Sequence, residues 1–123
     1  MSMEADDKSA AEVAVAPRVT LQDIENALAE RYEFTGEQAC LSLGMPTGNR
    51  ALSVLSICIL VLKNGYTVVG TSAPASPANF DVALGRKFAY ENATRQLWPL
   101  MGFCLRDRLA KAAVASPETA EKY

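Results

Sequence analysis

The chain has 123 residues, one domain's worth, with 12 basic and 14 acidic residues and a net charge of −2. A 21% charged fraction beside 50% hydrophobic residues argues against disorder throughout, and a pI near 5.1 argues against a generally basic nucleic-acid coat protein. With no histidine, the commonest metal ligand and the commonest general base are both missing.

Residues 1–17 are alanine-rich and acidic, lack aromatics and end at Pro17, so they read as a disordered tail. Thr20 and Asp23 stand at capping-box spacing, with Val19 and Ile24 at the positions of a hydrophobic staple. Leu21, Ile24 and Leu28 recur at helical spacing and predict a helix through Arg31. Residues 32–43 read as either a strand or an ordered loop, and Gly44–Arg50 as a loop. The segment 52–63, then Asn64-Gly65, then 66–72 predicts a β-hairpin closed by a type I′ turn.

The first hairpin strand puts Leu52, Val54, Cys58, Leu60 and Leu62 on one face and Leu55, Ile57, Ile59 and Val61 on the other. Two apolar faces call for cover on both sides, more than a small domain easily supplies, and a homo-oligomer would supply it. Ser76-Pro77 offers a helix start, with Asn79 as a competing cap. Phe80, Leu84 and Phe88 then form an i, i+4, i+8 stripe, and Glu91 is placed to pair with Arg95. Pro99 ends or kinks this helix near Leu97, and helical spacing resumes to about Ala113. The fold expected is α+β: an N-terminal helix, an antiparallel hairpin in a small sheet, then a long helix kinked near Pro99. It forms a single small domain over 18–113, with a flexible end over 114–123.

Chemistry-bearing motifs are few. There is no phosphate-binding glycine loop; Gly65, Gly70 and Gly85 read as a turn, a strand irregularity and a close helix contact. Cys40, Cys58 and Cys104 are widely spaced with no CxxC, which fits neither a disulfide framework nor a zinc site. No catalytic residue, metal or cofactor is assigned, and the expectation is that the protein is not an enzyme. The run Leu52–Leu62 is too short to span a bilayer as a helix, and the acidic start is unlike a secretory leader, so a soluble cytoplasmic protein without a membrane partner is expected.

Charge is unevenly spread. Arg86, Lys87, Arg95, Arg106, Arg108 and Lys111 face only Glu91 and Asp107 in their stretch, whereas the N-terminal third is acidic. The basic stretch reads either as a solvated helix face or as an anion-binding surface. Arg86 and Lys87 splay about 100° apart on a helix and do not make one pocket wall alone.

The segments SICILVLKNGYTVVGTSA and SPANFDVALGRKFAYENATRQLWPL resemble a small family of tailed-phage proteins, the bacteriophage gene product 49-like family. The resemblance covers roughly residues 18–110 and is densest from Ile57 to Leu105. It rests on Asn64-Gly65, Ser76-Pro77, Asn79-Phe80-Asp81, Gly85-Arg86-Lys87, Asn92 and Trp98-Pro99-Leu100. Met101 stands where family members usually carry a Glu, and Pro74 and Ala78 also depart from the pattern. The resemblance implies a phage accessory protein made in the cytoplasm of the infected bacterial host. It implies no activity, catalytic residue or cofactor.

Arg86, Lys87 and Asn92 are the matching residues least explained by fold. With Asn79, Asp81, Arg106 and Arg108 they form the candidate binding set. Two expectations follow for function. The first is a non-enzymatic accessory protein that binds a host protein as a homo-oligomer, for host takeover or counter-defence. The second is an oligomeric sequestering protein for an anionic small molecule such as a signalling nucleotide. Nucleic acid ranks below both, since the chain is acidic overall and has one Trp for stacking.

Overall fold

A computed structural model describes residues 17–115. Apart from Pro17, the N-terminal tail lies outside the described residues, as does the chain from 116 on. Two compact units emerge, residues 26–96 and the flanking residues 17–25 with 97–115.

Thr20 opens α1 (Leu21–Ala27) through the expected reciprocal cap. Its N–H donates to Asp23 Oδ2 at 2.9 Å, and the Asp23 N–H donates to Thr20 Oγ1 at 3.1 Å. The helix stops at Ala27 rather than Arg31, because Leu28–Thr35 is extended as β1. Arg31 to Thr35 pair residue for residue with Leu60 to Ser56. Tyr32, Phe34 and Thr35 favour a pleated surface, and that ladder outweighs the helix preference of Leu28-Ala29-Glu30.

Residues 32–43 are neither all strand nor all loop. The strand ends at Thr35, which caps a second short helix, α2 (Gly36–Ser42). Thr35 Oγ1 accepts from the Gln38 N–H at 3.1 Å and Gln38 Oε1 accepts from the Thr35 N–H at 2.9 Å. Thr35-x-x-Gln38 is thus a second capping box, a signal the hydrophobic spacing did not expose.

The strand expected from Leu52 starts later. Arg50–Val54 is a 3-10 turn capped by Asn49, whose Oδ1 accepts from the Ala51 N–H at 2.9 Å. β2 (Ser56–Leu62) and β3 (Thr67–Ser72) form the hairpin, and the antiparallel sheet has the order β1-β2-β3. The turn is not type I′, which needs positive φ at both central residues. Gly65 has φ of 89°, but no described non-glycine residue, Asn64 included, has positive φ. The Gly65 N–H donates to Leu62 O at 2.8 Å and the Leu62 N–H to Tyr66 O at 2.8 Å. This is a three-residue loop in which glycine takes the left-handed position after a type I turn.

Ser56, Cys58, Leu60 and Leu62 are buried on one face of β2, and Ile57, Ile59 and Val61 are half-buried on the other. Tyr32 and Val69, paired on either side of Ile59, share that second face and are 48% and 50% exposed. The first face is covered by α3 (Val82–Arg95), whose Ala89 and Ala93 are buried. Gly70 makes this approach possible. A Cβ there would lie 2.1 Å from the Ala89 carbonyl oxygen and 2.4 Å from the Ala93 nitrogen. The β2–β3 register runs unbroken through Gly70, so this glycine marks close packing and not a strand irregularity.

Ser76-Pro77 starts only a 3-10 turn, Pro77–Asn79; the helix proper begins at Val82 with Asp81 as its cap. α3 ends at Arg95, one turn residue follows at Gln96, and α4 runs Leu97–Ala115, past the expected end at Ala113. The break therefore precedes Pro99, which sits in the first turn of α4, where its missing N–H breaks no helical bond. Glu91 and Arg95 do not pair; Glu91 is buried and Arg95 exposed. In the flanking unit, Leu21, Ile24, Leu97 and Ala113 are buried, and Trp98 is half-buried. The α+β class, the N-terminal helix, the hairpin and the interrupted C-terminal helix thus stand as expected.

Candidate functional site

Where β3 ends, the chain turns through Ala73 and Pro74 into the 3-10 turn and then the cap of α3. Between this crossing and the first two turns of α3 lies an open cleft of about 210 Å3. Its walls are mainly Pro74, Phe80, Leu84 and Phe88, with Ser72, Asn79 and Asp81 supplying polar atoms. Leu84 and Phe88 are 49% and 50% exposed, so two members of the apolar stripe serve an open surface instead of the core.

Local chemistry builds this shape. Asp81 Oδ1 accepts from the Leu84 N–H at 2.9 Å, fixing the first turn of α3 and aiming Leu84 into the cleft. Gly85 forms the floor against β2: a Cβ there would lie 2.4 Å from Ser56 Oγ and 3.3 Å from a Phe80 ring carbon. With one carboxylate oxygen of Asp81 committed to the cap, the cleft's only charged wall residue is acidic.

Asn79 and Asp81 are the two members of the candidate set that the structure brings together here. Asn92 has a structural partner: its Oδ1 accepts from the Thr71 N–H at 3.1 Å on the edge of β3. Arg86 and Lys87 are exposed on α3 and line no wall of the cleft. Arg106 and Arg108 are exposed on α4, in the other unit. Sequence reasoning missed Ser72, Pro74, Leu84 and Phe88 as cleft residues, because a helical stripe by itself does not distinguish core from open wall.

A second polar cluster lies on the sheet face under α3. Arg31 sits 3.8 Å from the Tyr90 ring centroid, a cation–π stack, and pairs with Glu33. Nearby Cys58 is buried, and its thiol is pushed up from 9.0 chiefly by burial, with Arg31 lowering it and Glu33 raising it. No three His, Cys, Asp or Glu among the described residues converge to hold a metal ion. No described helix is long and apolar enough to cross a membrane.

Residues 19–109 match the model of the phage protein (N4 Gp49/phage Sf6 gene 66) family. The chain belongs to this family. The match spans the hairpin, the cleft and the whole of α3, as the gene product 49-like motifs implied. No curated protein and no solved structure matches the chain. In this phage-family protein, Asn79-Phe80-Asp81 shapes the cleft, Gly85 packs its floor, and Asn92 ties α3 to the sheet edge.

Proposed function

We propose that this phage-family protein is a non-enzymatic accessory protein that acts in the cytoplasm of the infected host by binding a host protein, as a homo-oligomer. The observation that carries this reading is the cleft. Half-exposed Leu84 and Phe88 face solvent beside a small polar rim, the arrangement that accepts an apolar anchor from a partner. Its volume suits one or two side chains and falls below the roughly 300–1,000 Å3 usual for small-molecule sites. Its acidic wall residue also opposes an anionic ligand, so a signalling nucleotide is favoured less than a protein.

Capture from lysate of a susceptible host, with tags at either end, tests this. A reproducible partner retained by Phe103→Ser and lost with Leu84→Glu is expected. Failure to recover any partner overturns the reading. Thermal stabilisation by a cyclic or linear nucleotide, without protein capture, establishes the anionic-ligand alternative in its place.

A further inference from the structure

The two edges of the sheet are treated differently. Along β3, α3 side chains occupy the outward backbone groups: Asn92 Oδ1 accepts from the Thr71 N–H at 3.1 Å, and Gln96 Nε2 donates to Val69 O at 2.7 Å. These two side chains stand where a fourth strand would otherwise bond. The opposite edge, β1, pairs with β2 on one side and with no strand among the described residues on the other.

We propose that this edge of β1 is the contact between two copies of the chain, paired antiparallel about a two-fold axis at Tyr32. Hydrogen-bond alternation fixes which groups are available. The Leu62 N–H bonds to Tyr66 O, so even-numbered residues of β2 bond to β3 and odd-numbered ones to β1. Ile57, Ile59 and Val61 therefore bond to Phe34, Tyr32 and Glu30. The N–H and C=O groups of Arg31 and Glu33 point away from the sheet. At one end the outward N–H of Thr35 is already taken by Gln38 Oε1, and at the other the register shifts between Leu28 and Glu30. Arg31 to Glu33 is the window left open.

Charge then selects one register. Opposing Arg31 to Arg31, or Glu33 to Glu33, sets like charges across the seam, which is unfavourable. Opposing Arg31 to Glu33 matches opposite charges twice and makes both the hydrogen-bonded pairs. That register places Tyr32 opposite Tyr32 on the other face, beside half-buried Ile59. Arg31 and Glu33 already pair within one chain, so four charges of alternating sign meet across the axis. Charges on an edge strand ordinarily repel chance partners. Here they also exclude a parallel in-register partner, and they admit the two-fold one. An isologous contact of this kind is self-complementary, as a closed dimer requires.

This deepens the oligomeric part of the function proposed above and rests on it, while host-protein capture remains a separate measurement. A dimer that captures no host protein leaves the pairing standing, and a monomer that captures one overturns only the pairing. The test measures the mass of the full chain by light scattering, with circular dichroism to confirm folding. Wild type is expected at twice the mass of one chain. Arg31→Glu and Glu33→Arg, each facing like charge across the axis, are expected at the mass of one. Mixed in equal amounts, the two variants present acid to base throughout and are expected to return to twice the mass. A wild type at the mass of one chain overturns the pairing, as do single variants that keep the double mass or a mixture that fails to reassociate. Hydrogen exchange supplies a second readout. Slow exchange of the Arg31 and Glu33 amides in the wild-type dimer, lost in each single variant, supports the pairing. Slow exchange at the mass of one chain overturns it, because another part of the same chain then covers the edge.

Discussion

Gly70 and Cys58 face each other across the β2–β3 ladder, and both answer to the helix above them. At Gly70 the nearest obstacles to a Cβ are helix backbone atoms, which cannot swing aside as a side-chain tip can. Gly70→Ala is therefore expected to destabilise by about 3 kcal/mol or more, at the upper end for overpacking, visible as a lowered denaturation midpoint. Cys58 is fully buried and Cys104 exposed, so a thiol reagent should modify Cys104 in the native protein and reach Cys58 only on unfolding. Because burial raises the Cys58 pKa, the fold favours the neutral thiol. That stability is fully present below the unfolded value near 9.0 and is lost as pH climbs through the folded value. Wild type should lose stability above pH 9 more steeply than Cys58→Ala, as urea titrations at several pH values would show.

At the scale of elements, three joints hold the unit of residues 26–96 together: the β1–β2 ladder, the hairpin and the seat of α3. The seat of α3 combines close backbone packing at Gly70 with the side-chain bonds from Asn92 and Gln96 to the β3 edge. Asn92→Ala removes one of these bonds at an exposed site, where water can replace it in part. The expected loss is about 1 kcal/mol, with faster exchange of the Thr71 amide. The helix boundaries follow local chemistry closely. Thr20, Thr35, Asn49 and Asp81 each accept a backbone N–H at the start of a helix or 3-10 turn. Capping residues bias where a helix begins, whereas α1 ends where the strand ladder claims the chain.

Across the whole molecule, apolar residues differ in what they contribute to stability according to how deeply they are buried. Ile24 and Leu97 are fully buried, while Phe103 is 74% exposed. Ile24→Ala should cost about 2–5 kcal/mol, whereas Phe103→Ser should stay within about 0.5 kcal/mol of wild type. Thermal denaturation of both variants checks the contrast.

Residue type and spacing alone determined the α+β class, the hairpin at Asn64-Gly65, the cap at Thr20, the approach of Gly85 and the break near Pro99. Gly85 was legible because a glycine in a helix lacks the Cβ that would here meet Ser56. The turn, the cap and the break depend on neighbours a few residues apart in the chain. The family motifs were legible for the same reason, since they are short strings. Tertiary structure decided the rest. It turned residues 28–31 from helix to strand, because seven cross-strand partners outweigh a local preference. It opened Leu84 and Phe88 into a cleft and assigned Asn92 to the sheet edge. Among the described residues it also left the edge of β1 without a strand beside it. Burial, edge pairing and clefts depend on which distant segments meet, and hydrophobic period reports only which face of an element is apolar, not what covers it.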